Sequence, residues 1–379
     1  MSRVLRSLSV VASLLAFCLP LDAAAQGREI VVGQVAPFSG PQAVTGRAIH
    51  AGVKLYLDHV NAQGGVRGAK IRLVTRDDAQ QAAQTVALTR ELIARESPVA
   101  LIGTVGTANV EALIADGVLQ NSGVPLVGAV SGASSAIAGN KVFVIKASYH
   151  EEVNRLFTNL AGLGIKRVGL VYQDDALGQD VIAGADAAAR RHGIELIARA
   201  GYPRNTVAVG EAVAAMVKAE PQVVFLGATT AAAIEFVRQY REGGGLATLY
   251  GMSIIDTRQL LAKLGPDGAR GFAFSVVLPL ETQRTIAVNR EYLRLRDQSK
   301  DADLSARSIE GFIAAKALVH ALHNAAAGGA PTPAAVVKSL QAMRKVDLGG
   351  YALDFGQQGR SGSSYVDFAM LGDGGRVVH

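Results

Sequence analysis

Four short loops rich in glycine and in hydroxyl side chains are the part of this sequence that points most directly to chemistry. Each loop follows a predicted strand, so a hydroxyl and two or three backbone N–H groups can converge on one anion without a cationic side chain. A carboxylate fits this arrangement. Turn formation and helix capping remain the ordinary roles of these residues in any single loop. The four loops are residues 39–41, 103–109, 128–135 and 227–230.

Other candidate chemistries lack a residue that they require. The glycines at 103 and 106 have no third glycine for a dinucleotide-binding turn, and His150 has Asn154 where a zinc motif needs a second histidine. The acidic pairs at 77–78 and 174–175 suit helix capping better than cation binding. No GxSxG element is present. An enzyme is therefore poorly supported, and neither a metal nor a cofactor is expected.

The first 25 residues read as a secretory signal peptide, with two early arginines, an apolar run over 8–21 and a small-residue site ending at Ala25. A membrane anchor is the alternative, but Pro20 and Asp22 interrupt the run well short of the roughly 20 residues that span a bilayer. We expect cleavage after Ala25. The only cysteine of the chain lies inside this segment, so the exported protein is expected to contain no disulfide.

The composition narrows the class of protein further. The chain has 379 residues, 49% of them hydrophobic, with 42 glycines and no tryptophan, which favours a turn-rich α/β protein with a large core. Its net charge of +6 comes from 38 basic and 32 acidic residues. Because the basic residues are dispersed along the chain with few aromatic neighbours, a nucleic-acid surface is not expected.

Strand-like and helix-like segments alternate along the chain, a pattern typical of parallel βαβ units with right-handed crossovers. The pattern restarts near Tyr149, so we predict two doubly wound lobes, and no flexible linker separates them. The predicted strands are 30–35, 71–75, 99–102, 124–127, 168–172, 194–198, 223–226, one near 249, 271–277, 351–355 and 365–371. The predicted helices include 109–119, 151–160, 181–191, 211–217, 231–241, one after Asp256, 284–297 and 308–326.

Three motifs give the sequence a family resemblance. The opening VGQVAPFSGP at 32–41, NAQGGVRG at 61–68 and the acidic pair at 77–78 resemble the periplasmic solute-binding proteins of branched-chain amino acid ABC importers, and the likeness continues to about residue 372. The resemblance implies a type I periplasmic binding protein fold, with two Rossmann-like lobes and a three-crossing hinge. The lobes would comprise residues 26–147 with 275–347, and residues 148–274 with 348–379.

The resemblance also implies which residues line the ligand site. In such proteins, hydroxyl and backbone groups of two first-lobe loops hold the carboxylate, and a second-lobe tyrosine closes over the ligand. Two second-lobe loops complete the pocket, and a first-lobe position often taken by an aromatic residue forms one wall. By position, these residues are Thr107, Val130, Ser131 and Gly132 for the carboxylate, Tyr149 for closure, Ala228, Thr229 and Ser253 for the second lobe, and Thr45 for the wall.

The sequence departs from the family pattern at one informative place. Members that bind α-amino acids carry a glutamate for the ammonium group, whereas this chain reads GMSII at 251–255, and the nearby Asp256 is expected to cap a helix. An ammonium group buried without a carboxylate partner costs several kcal/mol. We therefore do not expect leucine to be the ligand.

The expected function is the periplasmic substrate-binding component of an ABC importer. It would capture a small carboxylate-bearing solute, an amino acid or a related organic acid, and present the closed form to an inner-membrane permease. A periplasmic sensor subunit of the same fold is the alternative, because fold alone does not separate transport from signalling. A secreted α/β enzyme is a distant third. After removal of the signal peptide, the chain is not expected to span a membrane.

Overall fold

The computed structural model describes residues 29–356 and 361–378, arranged as two α/β lobes with a cleft between them. The predicted signal peptide lies outside the described residues. The predicted α/β class with two doubly wound lobes is confirmed. Within the described part of the chain, no helix combines the length and the apolar character needed to cross a bilayer.

A five-stranded parallel sheet forms the first lobe, in the order β2-β1-β3-β4-β5. Its strands are β1 Glu29–Ala36, β2 Lys70–Asp77, β3 Ala100–Ile102, β4 Leu126–Val127 and β5 Val142–Phe143. The helices that join them are α1 Ala43–Ala62, α2 Ala82–Glu96, α3 Thr107–Asp116, α4 Val118–Ser122 and α5 Ser134–Ala138. Three later helices pack on the same lobe: α11 Ala287–Gln298 and α12 Ser308–Ala325 contact α1, and α13 Pro333–Gln341 contacts α12.

A seven-stranded sheet forms the second lobe, in the order β14-β13-β10-β9-β8-β6-β7. Its strands are β6 Arg167–Asp174, β7 Glu195–Pro203, β8 Val223–Gly227, β9 Thr248–Gly251, β10 Ala273–Val276, β13 Asp367–Leu371 and β14 Val377–Val378. Its helices are α6 Tyr149–Gly162, α7 Ala176–His192, α8 Gly210–Ala219, α9 Thr230–Glu242 and α10 Thr257–Ala269. The last two strands are antiparallel to their neighbours. A separate two-stranded hairpin contains β11 Val346–Asp347 and β12 Ala352–Leu353.

The parallel parts of the two sheets have the same strand order. Strands β7-β6-β8-β9-β10 repeat the order β2-β1-β3-β4-β5, so each sheet has a switch point beside its first strand. Open parallel sheets bind ligands in the crevice outside the carboxyl ends of the strands at such a point. The loops that line the cleft are those that follow the carboxyl ends of strands in both sheets.

The described residues cross between the lobes in three places, at 144–148, at 277–286 and in the segments 354–356 and 361–366. Hydrogen bonds tie the crossings together. The single hydroxyl hydrogen of Tyr351 is shared between the carbonyls of Ile145 at 2.8 Å and Val277 at 3.2 Å. The amide of Gly362 donates to the carbonyl of Val144 at 2.8 Å. The lobe limits predicted from the sequence remain a proposal.

Side-chain capping explains where several of the helices begin. Ser148 and Glu151 form a reciprocal capping box at the start of α6, and Asp175 accepts from the first amides of α7. Asp256 caps α10 as the sequence predicted, and Thr332 caps α13 ahead of Pro333 at its first position. The acidic pair at 174–175 therefore serves in part as a helix start.

The sequence patterns miss several short elements. The helix predicted over 109–119 is two helices, because the backbone at Gly117 adopts a left-handed conformation and ends α3. The sequence did not predict the two-residue strand β5 or the five-residue helices α4 and α5, which are too short to show a hydrophobic period. It also did not predict α13 or the strand β11.

Candidate functional site

A cavity of about 60 Å³ lies between the lobes, at the carboxyl ends of their parallel strands. Both lobes line it. The lining residues are Gln42, Thr45, Gln80, Val105, Gly106, Thr107, Ala108, Val130 and Arg307 from the first lobe, and Tyr149, Gln173, Asp175, Leu177, Arg204, Asn205, Thr229 and Ile254 from the second. The cavity thus occupies the position that the strand order predicts for a ligand.

Two buried hydroxyls form the first-lobe side of the cavity. Thr107 begins α3, and its Oγ1 lies 2.9 Å from Oγ of Ser131, which also accepts from the amide of Ala133 at 3.2 Å. One hydroxyl hydrogen makes the bond between them, and the phenol of Tyr149 lies within hydrogen-bonding reach of both hydroxyls. Gly106 precedes the helix and has no side chain to cap the first-turn amides. This corner of the cavity is a donor-rich place for a carboxylate.

Tyr149 closes the cavity from the second lobe. It is the first residue of α6, its side chain is 3% exposed, and its amide donates to the carbonyl of Gly132 at 2.8 Å. A side chain at position 132 would collide with the ring, since its Cβ would lie 2.8 Å from Cδ1 of Tyr149. Burial raises the pKa of the Tyr149 phenol to about 12, so the hydroxyl keeps its proton and remains a donor.

A buried polar network fixes the next part of the first-lobe wall. Asp78 accepts from the Thr85 hydroxyl at 2.8 Å and from the amide of Gln80 at 2.9 Å, and Asn109 donates to the Thr85 hydroxyl at 2.7 Å. Burial raises the pKa of the Asp78 carboxyl, although these hydrogen bonds oppose the shift. Gln80 and Asn109 are joined by a bond of 3.2 Å. The network therefore holds two side-chain amides in place at the edge of the cavity.

The second-lobe wall is built on the ends of β6 and β8. Asp175 accepts from the amides of Leu177 at 3.0 Å and Gly178 at 3.4 Å and from the side chain of Gln173 at 2.8 Å. Farther along the wall, the amide of Thr229 donates to the buried hydroxyl of Tyr202 at 3.0 Å. Burial raises the pKa of the Tyr202 phenol to about 12. These bonds leave the carboxylate of Asp175 surrounded by donors from its own lobe.

Two arginines at the cavity correct the expectation that the site contains no cationic side chain. Arg204 follows β7, and its Nε lies 3.1 Å from Oδ2 of Asp175. Arg307 lies directly before α12, and its Nη2 lies 3.0 Å from Oε2 of Glu310. Both line the cavity. Neither arginine could be predicted from the sequence, because arginine is common in loops and neither position lies in a recognisable motif.

A buried ionic group lies behind Arg307. Lys146 and Glu310 are 2.7 Å apart and each side chain is 1% exposed. Burial favours the neutral form of the Glu310 carboxyl, but the charges of Lys146 and Arg307 outweigh burial and hold its pKa below the ordinary value. Because Lys146 belongs to the first hinge crossing and Glu310 to α12, this pair joins the hinge to the helix beside the cavity.

Ser253 does not line the cavity between the lobes, in contrast to its predicted place in the pocket. Its hydroxyl donates to Glu152 at 2.7 Å, and its amide donates to the same carboxylate at 2.9 Å. The Ser275 hydroxyl donates to Glu152 as well, at 2.7 Å. Burial raises the pKa of the Glu152 carboxyl, against these hydrogen bonds. Ser253 instead borders a neighbouring cavity of about 80 Å³, which Arg307 separates from the cleft.

The structure brings most of the predicted site residues together. Those that line the cavity are Thr45, Thr107, Val130, Tyr149 and Thr229. Ser131 and Gly132 do not line the cavity but form hydrogen bonds with residues that do, Ser131 with Thr107 and Gly132 with Tyr149. Ala228 is buried next to Thr229. Their contact with a ligand stays a prediction. Sequence reasoning missed the side chains of Gln80, Gln173, Asp175, Arg204 and Arg307.

Comparison with known proteins matches nearly the whole chain to the kind of protein that its sequence motifs resemble. The family described as periplasmic binding protein matches residues 29–376. A Leu/Ile/Val-binding protein homolog 8 of Brucella abortus is 26% identical over 351 residues, which cover 88% of this chain and 86% of the homolog. A substrate-binding periplasmic protein from Ralstonia solanacearum has a TM-score of 0.89 and 45% identity, covering 92% of this chain and 99% of that one. A possible leucine/isoleucine/valine-binding protein from Rhodopirellula baltica has a TM-score of 0.87 and 26% identity, covering 96% and 98%.

Proposed function

Because the chain belongs to the periplasmic binding protein family, and resembles its branched-chain amino acid type, we propose that it is the substrate-binding component of an ABC importer. Members of this family bind their substrates without chemical conversion, so the chain is a binding protein and not an enzyme. The proposed ligand is a small solute with a carboxylate group, an amino acid or a related organic acid.

One observation carries this proposal, namely that a cavity lined by both lobes lies where the carboxyl ends of their parallel strands face each other. A ligand held there contacts both lobes only when the cleft is closed. It therefore favours the closed state by the contacts that it gains on closure. Ligand binding and closure are then one equilibrium, which is the signal that a transport partner can read.

The chemistry of the first-lobe corner supports a carboxylate as the recognised group. Thr107 and Ser131 offer hydroxyl donors, the start of α3 offers backbone N–H groups, and Tyr149 adds a protonated phenol from the other lobe. Hydrogen bonds to an ionised acceptor are worth about 1.5–3 kcal/mol each, roughly twice those between neutral groups. An ionised carboxylate gains more from each donor that it contacts in this corner than a neutral solute does.

The family assignment implies a periplasmic location. We propose that residues 1–25 direct export and are removed after Ala25, and that the closed protein docks on an inner-membrane permease. N-terminal sequencing of the exported protein tests the cleavage site. Transport by a permease reconstituted with this protein distinguishes import from the sensor alternative, which requires a signalling receptor instead.

A ligand screen tests the proposed function directly. We expect at least one member of a panel of amino acids, aliphatic acids and aromatic acids to raise the melting temperature at millimolar concentration. A ligand at 100 times its Kd adds about 2.7 kcal/mol to the free energy of unfolding. If no member of the panel stabilises the protein, the proposal is wrong.

The variant Thr107→Ala tests the first-lobe corner. We expect it to weaken the best carboxylate ligand by about 1–3 kcal/mol, because a buried hydroxyl donor to a charged acceptor is lost. Isothermal titration calorimetry measures the change. The matched control is Thr158→Ala, which removes an exposed threonine hydroxyl from α6 away from the cavity and should leave affinity unchanged. Equal affinity of Thr107→Ala and the parent protein would remove Thr107 from the site.

A further inference from the structure

Two arginine side chains cross the cleft in opposite directions. Arg204 of the second lobe donates from Nη2 to the first-lobe carbonyl of Gln80 at 3.1 Å and to Oδ1 of Asn109 at 2.9 Å. Arg307 of the first lobe donates from Nη1 to the second-lobe carbonyl of Ser253 at 3.1 Å. Both side chains also line the cavity. Each lobe therefore provides a guanidinium group that binds an oxygen of the other lobe only when the cleft is closed.

Both guanidinium groups retain donors that the protein does not use. Among the described residues, Arg204 makes its hydrogen bonds and ion pair through Nη2 and Nε and none through Nη1, and its side chain is 25% exposed. The Nε of Arg307 is buried and has no hydrogen-bond partner in the described part of the chain, and that side chain is 10% exposed. The guanidinium of Arg204 is partly exposed, so an acceptor supplied by a ligand can pair with its spare donor, and such a charge-assisted hydrogen bond would lower the free energy of the closed form.

The only carboxylate among the described residues that line the cavity is already occupied. Asp175 accepts from two backbone amides and from Gln173, and it forms an ion pair with Arg204. An incoming ammonium group would therefore have to displace donors that are held in place by β6 and α7. It would also lie in a cavity lined by two guanidinium groups and one carboxylate, where like charge opposes it.

We propose that Arg204 and Arg307 form a two-way clasp that selects organic acids lacking an α-ammonium group and couples binding of the anion to closure. The ligand class is then an aliphatic, aromatic or 2-oxo carboxylic acid, with acceptor oxygens for the spare guanidinium donors. This inference rests on the proposed function and narrows its ligand. The spare donor of Arg204 and the full set of donors around Asp175 both favour an anion over a zwitterion.

Matched sets of ligands test the selectivity. Leucine, 4-methyl-2-oxopentanoate and 4-methylpentanoate share one carbon skeleton and differ only at the α-carbon, and phenylalanine, phenylpyruvate and 3-phenylpropanoate form a second set. We expect the best acid to bind at least tenfold more tightly than the amino acid of its set, as measured by calorimetry. Equal or tighter binding of the amino acids overturns this inference and leaves the proposed function intact. If neither acids nor amino acids bind, both fail.

Substitution of Arg204 tests the clasp. Arg204→Met should weaken binding of the best acid at least tenfold and bring the affinity ratio of acid to amino acid toward one. Arg204→Lys keeps the charge but loses the planar fork, so it should recover only part of the affinity. The matched control is Arg190→Met, which removes the same charge from the exposed face of α7 and should bind the acid as the parent protein does.

Two further readouts separate a clasp from a purely structural arginine. Small-angle scattering of the acid-bound protein should show a less compact average form for Arg204→Met than for Arg190→Met. The melting temperature without ligand identifies a variant that fails to fold, and in that case the Arg204→Lys and Arg307→Lys variants decide the question. Wild-type affinity and selectivity in Arg204→Met, or in both lysine variants, would overturn the clasp.

Discussion

At the scale of single residues, the cavity combines two kinds of donor that differ in how they are held. The Thr107 and Ser131 hydroxyls are fixed by each other and by the start of α3. The guanidinium of Arg307 is fixed by buried charge, since it contacts Glu310, which in turn contacts Lys146. Two cations therefore depend on a single carboxylate. The position of Arg307 beside the cavity rests on that carboxylate remaining ionised.

The variant Glu310→Gln tests this dependence. We expect it to lower the free energy of unfolding at pH 7 by about 3–5 kcal/mol, because the buried Lys146 loses its charge partner. Urea unfolding measures the change. The matched control is Glu242→Gln on α9, which breaks an exposed pair with Arg238 and should cost less than about 1 kcal/mol. A loss as small as that of the control would show that the ionic group contributes little.

The lowered pKa of Glu310 predicts how the stability of the folded protein changes with pH. Because its pKa is lower in the folded protein than the ordinary value of 4.5, its contribution to stability is present above that value and is lost as pH falls through the folded pKa. The parent protein and Glu310→Gln should therefore differ most near neutral pH and converge in strong acid. A difference that grows on acidification would contradict this sign.

At the scale of elements, the packing of α1 against α12 determines where Arg307 and Glu310 lie. The two helices approach so closely that a Cβ on Gly52 would lie 1.8 Å from the carbonyl oxygen of Ser308, and a Cβ on Gly311 would lie 2.1 Å from that of Ile49. Arg307 and Glu310 lie at the start of α12, beside this contact. The glycines thus allow the helix contact that places both side chains next to the cleft.

The variant Gly52→Ala tests the close contact between α1 and α12. We expect a loss of about 1–3 kcal/mol in the free energy of unfolding, since the added methyl forces two backbones apart in a packed region. The same substitution at Gly162, at the end of α6, meets no atom within 4 Å and should be neutral or stabilising by up to about 1 kcal/mol. Thermal and urea unfolding distinguish the two. Equal effects of both variants would mean that the helices separate without cost.

At the scale of the whole molecule, the hinge is built from crossings that share hydrogen bonds. The hydroxyl of Tyr351 joins the first crossing to the second, and the Gly362 amide joins the third to the first. Burial raises the pKa of the Tyr351 phenol, so it remains a donor at physiological pH. The three crossings are therefore coupled by hydrogen bonds. We expect this coupling to restrict the lobes to one direction of opening.

Removing the shared hydroxyl should loosen the hinge. Tyr351→Phe leaves the buried carbonyls of Ile145 and Val277 without this donor, and we expect a loss of about 1–3 kcal/mol in stability. Scattering should also show a wider range of lobe separations without ligand. Tyr172→Phe is the control, because that half-buried tyrosine lies on β6, outside the three crossings. Identical scattering and stability in both variants would exclude a hinge role for the Tyr351 hydroxyl.

The sequence by itself determined the architecture and one side of the site. Alternating strands and helices predict parallel sheets, and parallel sheets place the loops after their strands at a common edge. That is why the loops of Thr107, Val130 and Thr229, which are far apart in the chain, were expected at the site, while Tyr149 was expected there from the family resemblance, and all four line one cavity. Regular periods and turn residues are local signals, so they are readable without coordinates.

Only the tertiary structure decided the charge of the cavity and the partners of its polar groups. Arg204 and Arg307 follow no local pattern, and their roles depend on Asp175, Asn109 and Ser253, which approach them from other elements. The loop of Ser253 shows the same dependence, because the Ser253 hydroxyl donates to Glu152 while the neighbouring Ile254 lines the cavity. Whether a donor is free for a ligand depends on neighbours distant in sequence, and packing alone sets those neighbours.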